Sequence, residues 1–377
     1  MNKKIVFFLT LSLVLSLLAG CAGTTVVVGE KCTCTPSPSA PAGNDCTCTP
    51  LPSAPAGNDC TCPSGSHTPS DPSEPDDGAV KTGLAVVATI SGSKNAECAD
   101  YDVTLVAVTV DDQGVIQSCV IDSIGTKVAF DATGTITTAL DSVIKTKNEL
   151  GDAYGMKQYA GSKFEWYEQA AALAAYAQGK TVEELKSGAI DESGKAPAGS
   201  DLASTATIYL GGYVGAIEKA VANAKHLGAQ AGDELRLAST SSIASSTGAT
   251  ADKAGTAQLD CDVTAVTVKD GAITSCYIDS LQAKVSFDAT GAITTDLTAP
   301  VKTKNELGDE YGMKAYANAK FEWYEQAANF AAYVTGKTAA QVAGIAVSEG
   351  KPADADLLSS VTIAITGFQA LIAKVMA

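Results

Sequence analysis

The sequence predicts an α+β fold, built as two tandem copies of a domain in which an antiparallel sheet is followed by helices. Two observations support this prediction. Segments of the 377-residue chain recur at a fixed separation: "FDATG" begins at residue 130 and again at 287, which is 157 residues later. Within each copy, segments with strand-like alternation come first and segments with helical periodicity follow.

Three identical pairs of segments define the two copies. They are "FDATG" at 130–134 and 287–291, "KTKNELGD" at 145–152 and 302–309, and "KFEWYEQAA" at 163–171 and 320–328. We expect copy one to span residues 81–226 and copy two to span residues 233–377. Each has the size of an ordinary domain with its own core.

Local signals place the main elements of each copy. β-Branched residues flank Asp270–Gly271, which predicts a two-residue hairpin, and "DATG" predicts a second one. A helix is predicted after Lys163 and is expected to stop at Gly179, and a shorter helix is predicted at "TVEELKSG". The apolar face predicted for the longer helix consists of Phe164, Tyr167, Ala171 and Ala174.

The N-terminus has the pattern of a lipoprotein signal. Lys3 and Lys4 precede an apolar segment that ends in "LAGC", so residues 1–20 are predicted to be the signal peptide. Cys21 is predicted to be the lipidated first residue, which anchors the protein on the extracellular face of the cell membrane. An ordinary secretory signal followed by a chance cysteine is the alternative.

Residues 21–80 are predicted to be a disordered Cys/Pro-rich linker, because they contain too few apolar residues to form a core. Three C-T-C pairs lie in it. Their cysteines are Cys32, Cys34, Cys46, Cys48, Cys60 and Cys62. Disulfides or free thiols are favoured over a soft-metal site, because no histidine follows at the spacing of a zinc site.

Charge and composition exclude several classes of function. The formal net charge is −16, and removing Lys3 and Lys4 with the signal gives −16 − 2 = −18. This excludes the basic footprint of a nucleic-acid-binding protein. Only His67 and His226 are present, which excludes histidine-based hydrolytic triads and His-rich metal sites. The sequence does not decide whether a disulfide forms within each copy. The cysteines concerned are Cys98, Cys119, Cys261 and Cys276.

Both copies end with an acid that is followed by hydroxyl residues at offsets of three and six, ahead of an apolar segment. These residues are Asp201, Ser204 and Thr207 in copy one, and Asp356, Ser359 and Thr362 in copy two. A local interpretation is that a hydroxyl caps the following helix and the acid braces a turn. A functional interpretation is that the helix N-terminus binds a phosphate, to which the threonine hydroxyl bonds or is esterified.

The spacing resembles the Asp-x-x-Ser/Thr-Gly-Ala-Thr/Ser flavinylation motif of FMN-binding domains. Such domains occur in electron-carrying subunits of sodium-pumping NADH:quinone and ferredoxin:NAD oxidoreductases. They also occur as tandem copies in Gram-positive extracellular electron-transfer lipoproteins. The hairpin "VTVKDGAITS" is similar to the opening strands of this family. The resemblance implies FMN attached through a phosphoester to Thr207 and Thr362 by a flavin transferase.

The motif departs from the family at its glycine, which is Thr205 in copy one and Ser360 in copy two. Glycine allows a tight backbone turn against a ligand. Because both copies lack this glycine, non-covalent binding of FMN is an alternative to the phosphoester. Copy one keeps Ala206 where copy two has Val361, and we therefore expect fuller loading at Thr207.

The resemblance implies a redox carrier rather than a turnover enzyme. It would relay electrons from a membrane dehydrogenase or quinol to an external acceptor. The alternative is a non-catalytic surface scaffold or ligand-binding lipoprotein built from degenerate FMN-binding domains. The aromatic residues of the repeat are predicted to be core residues, and stacking on the flavin ring is the less favoured interpretation. They are Trp166, Tyr167, Trp323 and Tyr324.

Overall fold

A computed structural model describes residues 26–27, 32–36, 46–50 and 78–377. The chain divides into two compact units, Met1–Ser73 and Glu74–Ala377. The predicted signal peptide and Cys21 lie outside the described residues. Among the residues that are described, none of the helices is long and apolar enough to cross a bilayer.

The first unit contains a small antiparallel sheet inside the predicted linker. Its strands are β1 (Val26–Val27), β2 (Cys32–Pro36) and β3 (Cys46–Pro50). Cys34 lies opposite Cys48 in the register of β2 and β3. Alternating cysteine and β-branched threonine suits an extended strand. The sequence prediction contained no such strands. Residues 78–80 of the predicted linker belong to the second unit, where Val80 is buried, and the other linker residues, with the third C-T-C pair, lie outside the described residues.

The second unit contains two three-stranded antiparallel sheets in which the strands follow chain order. Sheet one consists of β4 (Lys81–Thr89), β5 (Cys98–Val110) and β6 (Ile116–Ala129). Sheet two consists of β7 (Glu234–Ser242), β8 (Gly255–Lys269) and β9 (Ala272–Phe287). The hairpin predicted at Asp270–Gly271 is confirmed, and both residues have the positive φ, 51° and 78°, that a type I′ turn requires.

The predicted "DATG" hairpins are reduced in the structure to isolated bridges. Phe130 pairs with Ile136 and Phe287 with Ile293, and neither turn leads into a further strand of the sheet. A separate two-stranded hairpin is formed later in copy two by β10 (Val347–Ser348) and β11 (Lys351–Pro352).

Helices follow the strands in the same order in both copies. In copy one they are α1 (Lys147–Leu150), the 3₁₀ helix η1 (Gly151–Tyr154), α2 (Met156–Ala160), α3 (Trp166–Ala177), α4 (Val182–Ala189), α5 (Asp201–Thr205) and α6 (Gly211–Ala222). In copy two they are α7 (Lys304–Leu307), η2 (Gly308–Tyr311), α8 (Met313–Ala317), α9 (Trp323–Val334), α10 (Ala339–Ala343), α11 (Ala355–Leu358) and α12 (Thr366–Val375). The α+β class predicted from the sequence is confirmed.

Helix α3 lies where the sequence places it, but of the predicted apolar face only Ala174 is among the buried residues. Glu165 is its N-cap, so Phe164 precedes the helix, and Ala171 is exposed. The buried residues of α3 are Trp166, Gln169, Ala170, Leu173, Ala174 and Ala177. Apolar periodicity misplaced the face because the buried glutamine counts as polar in such a pattern.

The second unit is layered as helices, sheet, sheet and helices. Along β5, Leu105 and Ala107 point into a hydrophobic cluster shared by both sheets, whereas Val106 and Val108 point towards the helices of copy one. This alternation is the two-residue period of a strand. The sequence predicted a separate core for each copy and did not anticipate the shared cluster.

The final helix of copy one packs closely on sheet one. A Cβ on Gly83 of β4 would lie 2.1 Å from the carbonyl oxygen of Ala220 in α6, so only glycine fits there. The side chain of Lys219 in α6 then reaches Glu306 of copy two, at 2.7 Å. The equivalent Lys374 of α12 pairs with Glu149 of copy one. The two copies therefore exchange matching contacts, as in a two-fold arrangement.

Candidate functional site

The Asp–Ser–Thr motif of each copy is not a loop that leads into the final helix. Helix α5 occupies its first five residues, and the Ser204 hydroxyl donates to the Asp201 carbonyl oxygen at 2.6 Å. In copy two the Ser359 hydroxyl donates to the Asp356 carbonyl oxygen at 2.7 Å. These serines therefore bond to their own backbone, and both acids are exposed.

Thr207 and Thr362 do not sit at helix N-termini, and that expectation is wrong. Helix α6 begins at Gly211 and α12 begins at Thr366, four residues after each threonine. Each threonine lies instead in a short connector between two helices. Both side chains are exposed.

A buried glutamine fixes each connector. The Gln169 side-chain oxygen accepts from the Thr207 N–H at 2.8 Å, the Thr207 hydroxyl at 3.2 Å and the Ile208 N–H at 3.2 Å. Gln326 accepts the same three bonds from Thr362 and Ile363, at 2.7, 3.1 and 3.2 Å. Sequence reasoning missed both glutamines, although each stands in the repeated segment "KFEWYEQAA".

The missing motif glycine imposes no backbone strain. Neither Thr205 nor Ser360 has a positive φ. Thr205 ends α5 in helical geometry, and its hydroxyl donates to the Leu202 carbonyl oxygen at 3.1 Å. A side chain at this position is therefore accommodated in this connector.

A cleft of about 830 Å³ lies beside Thr207 in copy one. Ile208 and Tyr209, which follow Thr207 directly, line it. Its other aromatic residues are Tyr154, Tyr159, Trp166 and Tyr213, and strands β4 and β5 contribute Val87, Ala88, Thr89, Asp102 and Thr104. The Trp166 indole N–H donates to the Tyr213 hydroxyl at 3.0 Å, which fixes the orientation of the indole ring.

Lys147 is the cationic residue in this lining, and it is 9 % exposed. Its ammonium lies 5.1 Å from the ring centroid of Trp166 and 5.4 Å from that of Tyr154. Within residues 78–377, no carboxylate forms an ion pair with it. A buried cation without a counter-ion favours an anionic ligand, and Asp102 at the rim is exposed.

The start of α6 adds backbone donors to the same cleft. Gly212, the second residue of the helix, lines it. The N–H of Gly211 is bonded to the Gly194 carbonyl oxygen at 3.0 Å, but in the described part of the chain the N–H groups of Gly212 and Tyr213 have no backbone acceptor. Free amides at a helix start stabilise negative charge.

Copy two repeats part of this arrangement. The Lys304 ammonium lies 4.8 Å from the ring centroid of Trp323 and 5.1 Å from that of Tyr311. Two tyrosines are not repeated: Tyr209 corresponds to Ala364, which removes an aromatic ring, and Tyr213 corresponds to Phe368, which keeps the ring but lacks the hydroxyl.

Tyr167 and Tyr324, and the acidic residues of the repeated segment "KNELGD", have structural roles. The hydroxyl of Tyr167 donates to Asp152, and that of Tyr324 to Asp309, both at 3.3 Å. Glu149 closes a capping box at the start of α1. No group of three or more potential metal ligands occurs among the residues that the structure describes.

The cysteines of the second unit are buried and free. They are Cys98, Cys119, Cys261 and Cys276. The disulfide that the sequence left open within each copy is therefore not formed. Burial raises the pKa of Cys119 and Cys276 to about 12, so these thiols stay protonated and unreactive at neutral pH.

No protein-family model matches the chain, and neither a curated protein nor a solved structure is significantly similar to it.

Proposed function

We propose that this chain is a flavoprotein electron carrier that holds FMN in the aromatic cleft of copy one. One observation carries the proposal: the buried Lys147 ammonium, which lacks a counter-ion in the described chain, is set among aromatic rings next to the connector of Thr207. A cleft of about 830 Å³ is also in the size range of sites for small ligands and cofactors.

The lining fits the two chemical parts of FMN. Tyr154 and Tyr209, which are 37 % and 59 % exposed, offer flat apolar surface to a planar ring system. Lys147 and the free amides at the start of α6 favour a phosphate group. FMN, when bound, supplies the electron-transfer chemistry, which protein side chains alone do not provide. The protein orients the ring system and neutralises the phosphate.

Both modes of attachment are compatible with the connector. The exposed Thr207 hydroxyl bonds to Gln169, and forming a phosphoester there removes only this bond. The Gln169 oxygen still accepts hydrogen bonds from the N–H groups of Thr207 and Ile208, and these bonds hold the connector in place. A flavin transferase is required for the phosphoester, whereas Lys147 and the aromatic residues suffice for non-covalent FMN.

The lipoprotein signal supplies the cellular setting of the proposal. Lipidation of Cys21 tethers the carrier to the extracellular face of the cell membrane. A membrane dehydrogenase or quinol then reduces it, and an external acceptor oxidises it. The net charge of −16 favours acceptors that are not themselves strongly acidic.

A second candidate function is a non-catalytic scaffold or ligand-binding module. It is favoured by the saturation of the motif, because Gln169 already bonds the Thr207 hydroxyl and two amides. In that case the recurrence of the motif reflects only how the connector is braced against α3 and α9.

Titration of the full chain with FMN separates the two candidates. We expect tryptophan fluorescence to be quenched as FMN fills the cleft beside Trp166, and Lys147→Gln to weaken the binding. Lys304→Gln is the matched control, because it removes a lysine that lies between two aromatic rings in copy two and leaves the copy-one cleft unchanged. Unchanged fluorescence over the titration contradicts the flavin proposal and favours the scaffold.

A further inference from the structure

The two copies differ in the residue that faces the lysine side of the cleft. Strand register matches Thr104 with Asp262, because Thr104 lies opposite Ser123 and Asp262 lies opposite Ser280. Ser123 and Ser280 are the same position of the repeat, 280 − 123 = 157 residues apart. Thr104 lines the copy-one cleft. A neutral hydroxyl in copy one is therefore replaced by a carboxylate in copy two.

The Asp262 carboxylate lies at the start of α12. Its Oδ2 is 3.6 Å from the point that a Cβ on Gly367 would occupy. Gly367 is the second residue of α12, and its counterpart Gly212 lines the copy-one cleft. Burial raises the pKa of Asp262, while the Ser280 hydroxyl and the charge of Lys304 act in the opposite direction.

We propose that the corner of the copy-one cleft formed by Lys147, Thr104 and Gly212 is a phosphate subsite. In copy two the corresponding corner is filled by the chain's own anion, Asp262. A carboxylate and a phosphate have the same requirements here, namely a nearby ammonium and the free amides of a helix start. This inference rests on the proposed function, and it assigns one FMN to each chain.

The aromatic differences between the copies agree with this assignment. Where copy one has Tyr209 and Tyr213 around the cleft, copy two has Ala364 and Phe368. Copy two thus lacks the aromatic ring of Tyr209 and the hydroxyl of Tyr213. Asp262 lies near enough to Lys304 for the lysine charge to lower its pKa, although within residues 78–377 the two side chains do not form an ion pair. This carboxylate supplies a negative charge that copy one lacks at Thr104.

The first test compares FMN with riboflavin, which lacks the phosphate, on the full chain. We expect one FMN per chain and weaker binding of riboflavin. Thr104→Asp copies the carboxylate of copy two, and we expect it to weaken FMN binding by about tenfold or more. Thr104→Asn has a similar shape without the charge, and we expect it to change FMN affinity by less than about threefold.

The second test opens the corner in copy two. Asp262→Thr is expected to add a second, weaker FMN site, and circular dichroism checks that each variant is folded. The inference is overturned if the native chain binds two FMN, if Thr104→Asp behaves like Thr104→Asn, or if riboflavin binds as tightly as FMN. None of these three results contradicts the proposed flavin function. Failure of every variant to bind either flavin overturns both proposals.

Discussion

Phe130 and Phe287 stack face to face, with ring centroids 4.0 Å apart and ring planes within 1° of parallel. They are the same residue of the repeat, 287 − 130 = 157 positions apart. Two equivalent residues that contact each other lie on the axis that relates the copies. Each copy therefore covers its central phenylalanine with that of the other, and the shared cluster is the core that joins them.

Replacing one member of this pair is expected to destabilise both copies together. Phe287→Ala leaves a cavity in the shared cluster, and we expect the free energy of unfolding to fall by about 3–5 kcal/mol. Chemical denaturation measures this. Val143→Ala at an exposed position is the control, with an expected change within about 0.5 kcal/mol.

The form of the unfolding transition is the second part of that prediction. Because the sheets share a cluster, we expect one cooperative transition that moves as a whole in Phe287→Ala. Residues 81–226 expressed alone expose the Phe130 face of sheet one, and we expect no stable monomer from them. Two separate transitions, with only one shifted by the substitution, contradict the shared core.

Asp279 is expected to control how stability depends on pH. Burial raises its pKa to about 6, although hydrogen bonds from Thr303, Asn305 and Ser280 lower it. An acid with a raised pKa stabilises the fold at low pH, and this contribution is lost as the pH rises from about 4 through about 6. By linkage the loss is on the order of 3 kcal/mol.

Asp279→Asn removes this titration while keeping the acceptor oxygen for the N–H groups of Ser280 and Asn305, which lie 2.7 and 3.1 Å from it. We expect the variant to be more stable than the native chain at pH 8 and to match it near pH 3.5. Urea denaturation at a series of pH values tests this. Parallel profiles for the two proteins contradict the assignment.

Gln169 is expected to matter more for stability than the threonine it contacts. Gln169→Leu leaves two backbone N–H groups and a hydroxyl without their acceptor, with an expected cost of about 1–3 kcal/mol. Thr207→Ala removes only the hydroxyl bond and is expected to cost about 0.5–1.5 kcal/mol. The matched change Gln326→Leu should reproduce the larger effect. A larger loss for Thr207→Ala than for Gln169→Leu contradicts this account of the connector.

Local features of this fold could be predicted from sequence, and contacts between distant segments could not. The Asp270–Gly271 turn depends on two residues, and the ends of α3 depend on nearby caps, so both are encoded where they occur. The burial of Gln169 depends on a connector that lies 38 residues later in the chain. The shared cluster requires one copy to dock on the other.

The same distinction between local features and distant contacts applies to the candidate site. The repeat pointed to the Asp–Ser–Thr motif, and its hydroxyls prove to bond to neighbouring backbone and to Gln169. Lys147 was missed, because lysine is normally assigned to the surface. Its burial distinguishes it from the other lysines of residues 78–377, whereas packing between a tryptophan and a tyrosine is shared with Lys304.

The lipid anchor is tested by removing the predicted acylation site. Cys21→Ser deprives the signal peptidase and acyl donor of their target, and we expect the protein to leave the membrane fraction. Cell fractionation with detection of the chain measures this. Retention of the variant in the membrane fraction contradicts anchoring at Cys21.

The central claim is that copy one holds FMN, and it is tested most directly by the flavin content of the purified full chain. The chain is produced with a flavin transferase and analysed by visible absorption and intact mass. We predict a yellow protein with one flavin per chain. If FMN is attached covalently to Thr207, the mass of the chain increases by FMN less one water, and Thr207→Ala lacks this increase. If FMN is bound non-covalently, it is released when the protein is denatured. A colourless protein that neither gains mass nor retains added FMN on gel filtration contradicts the account.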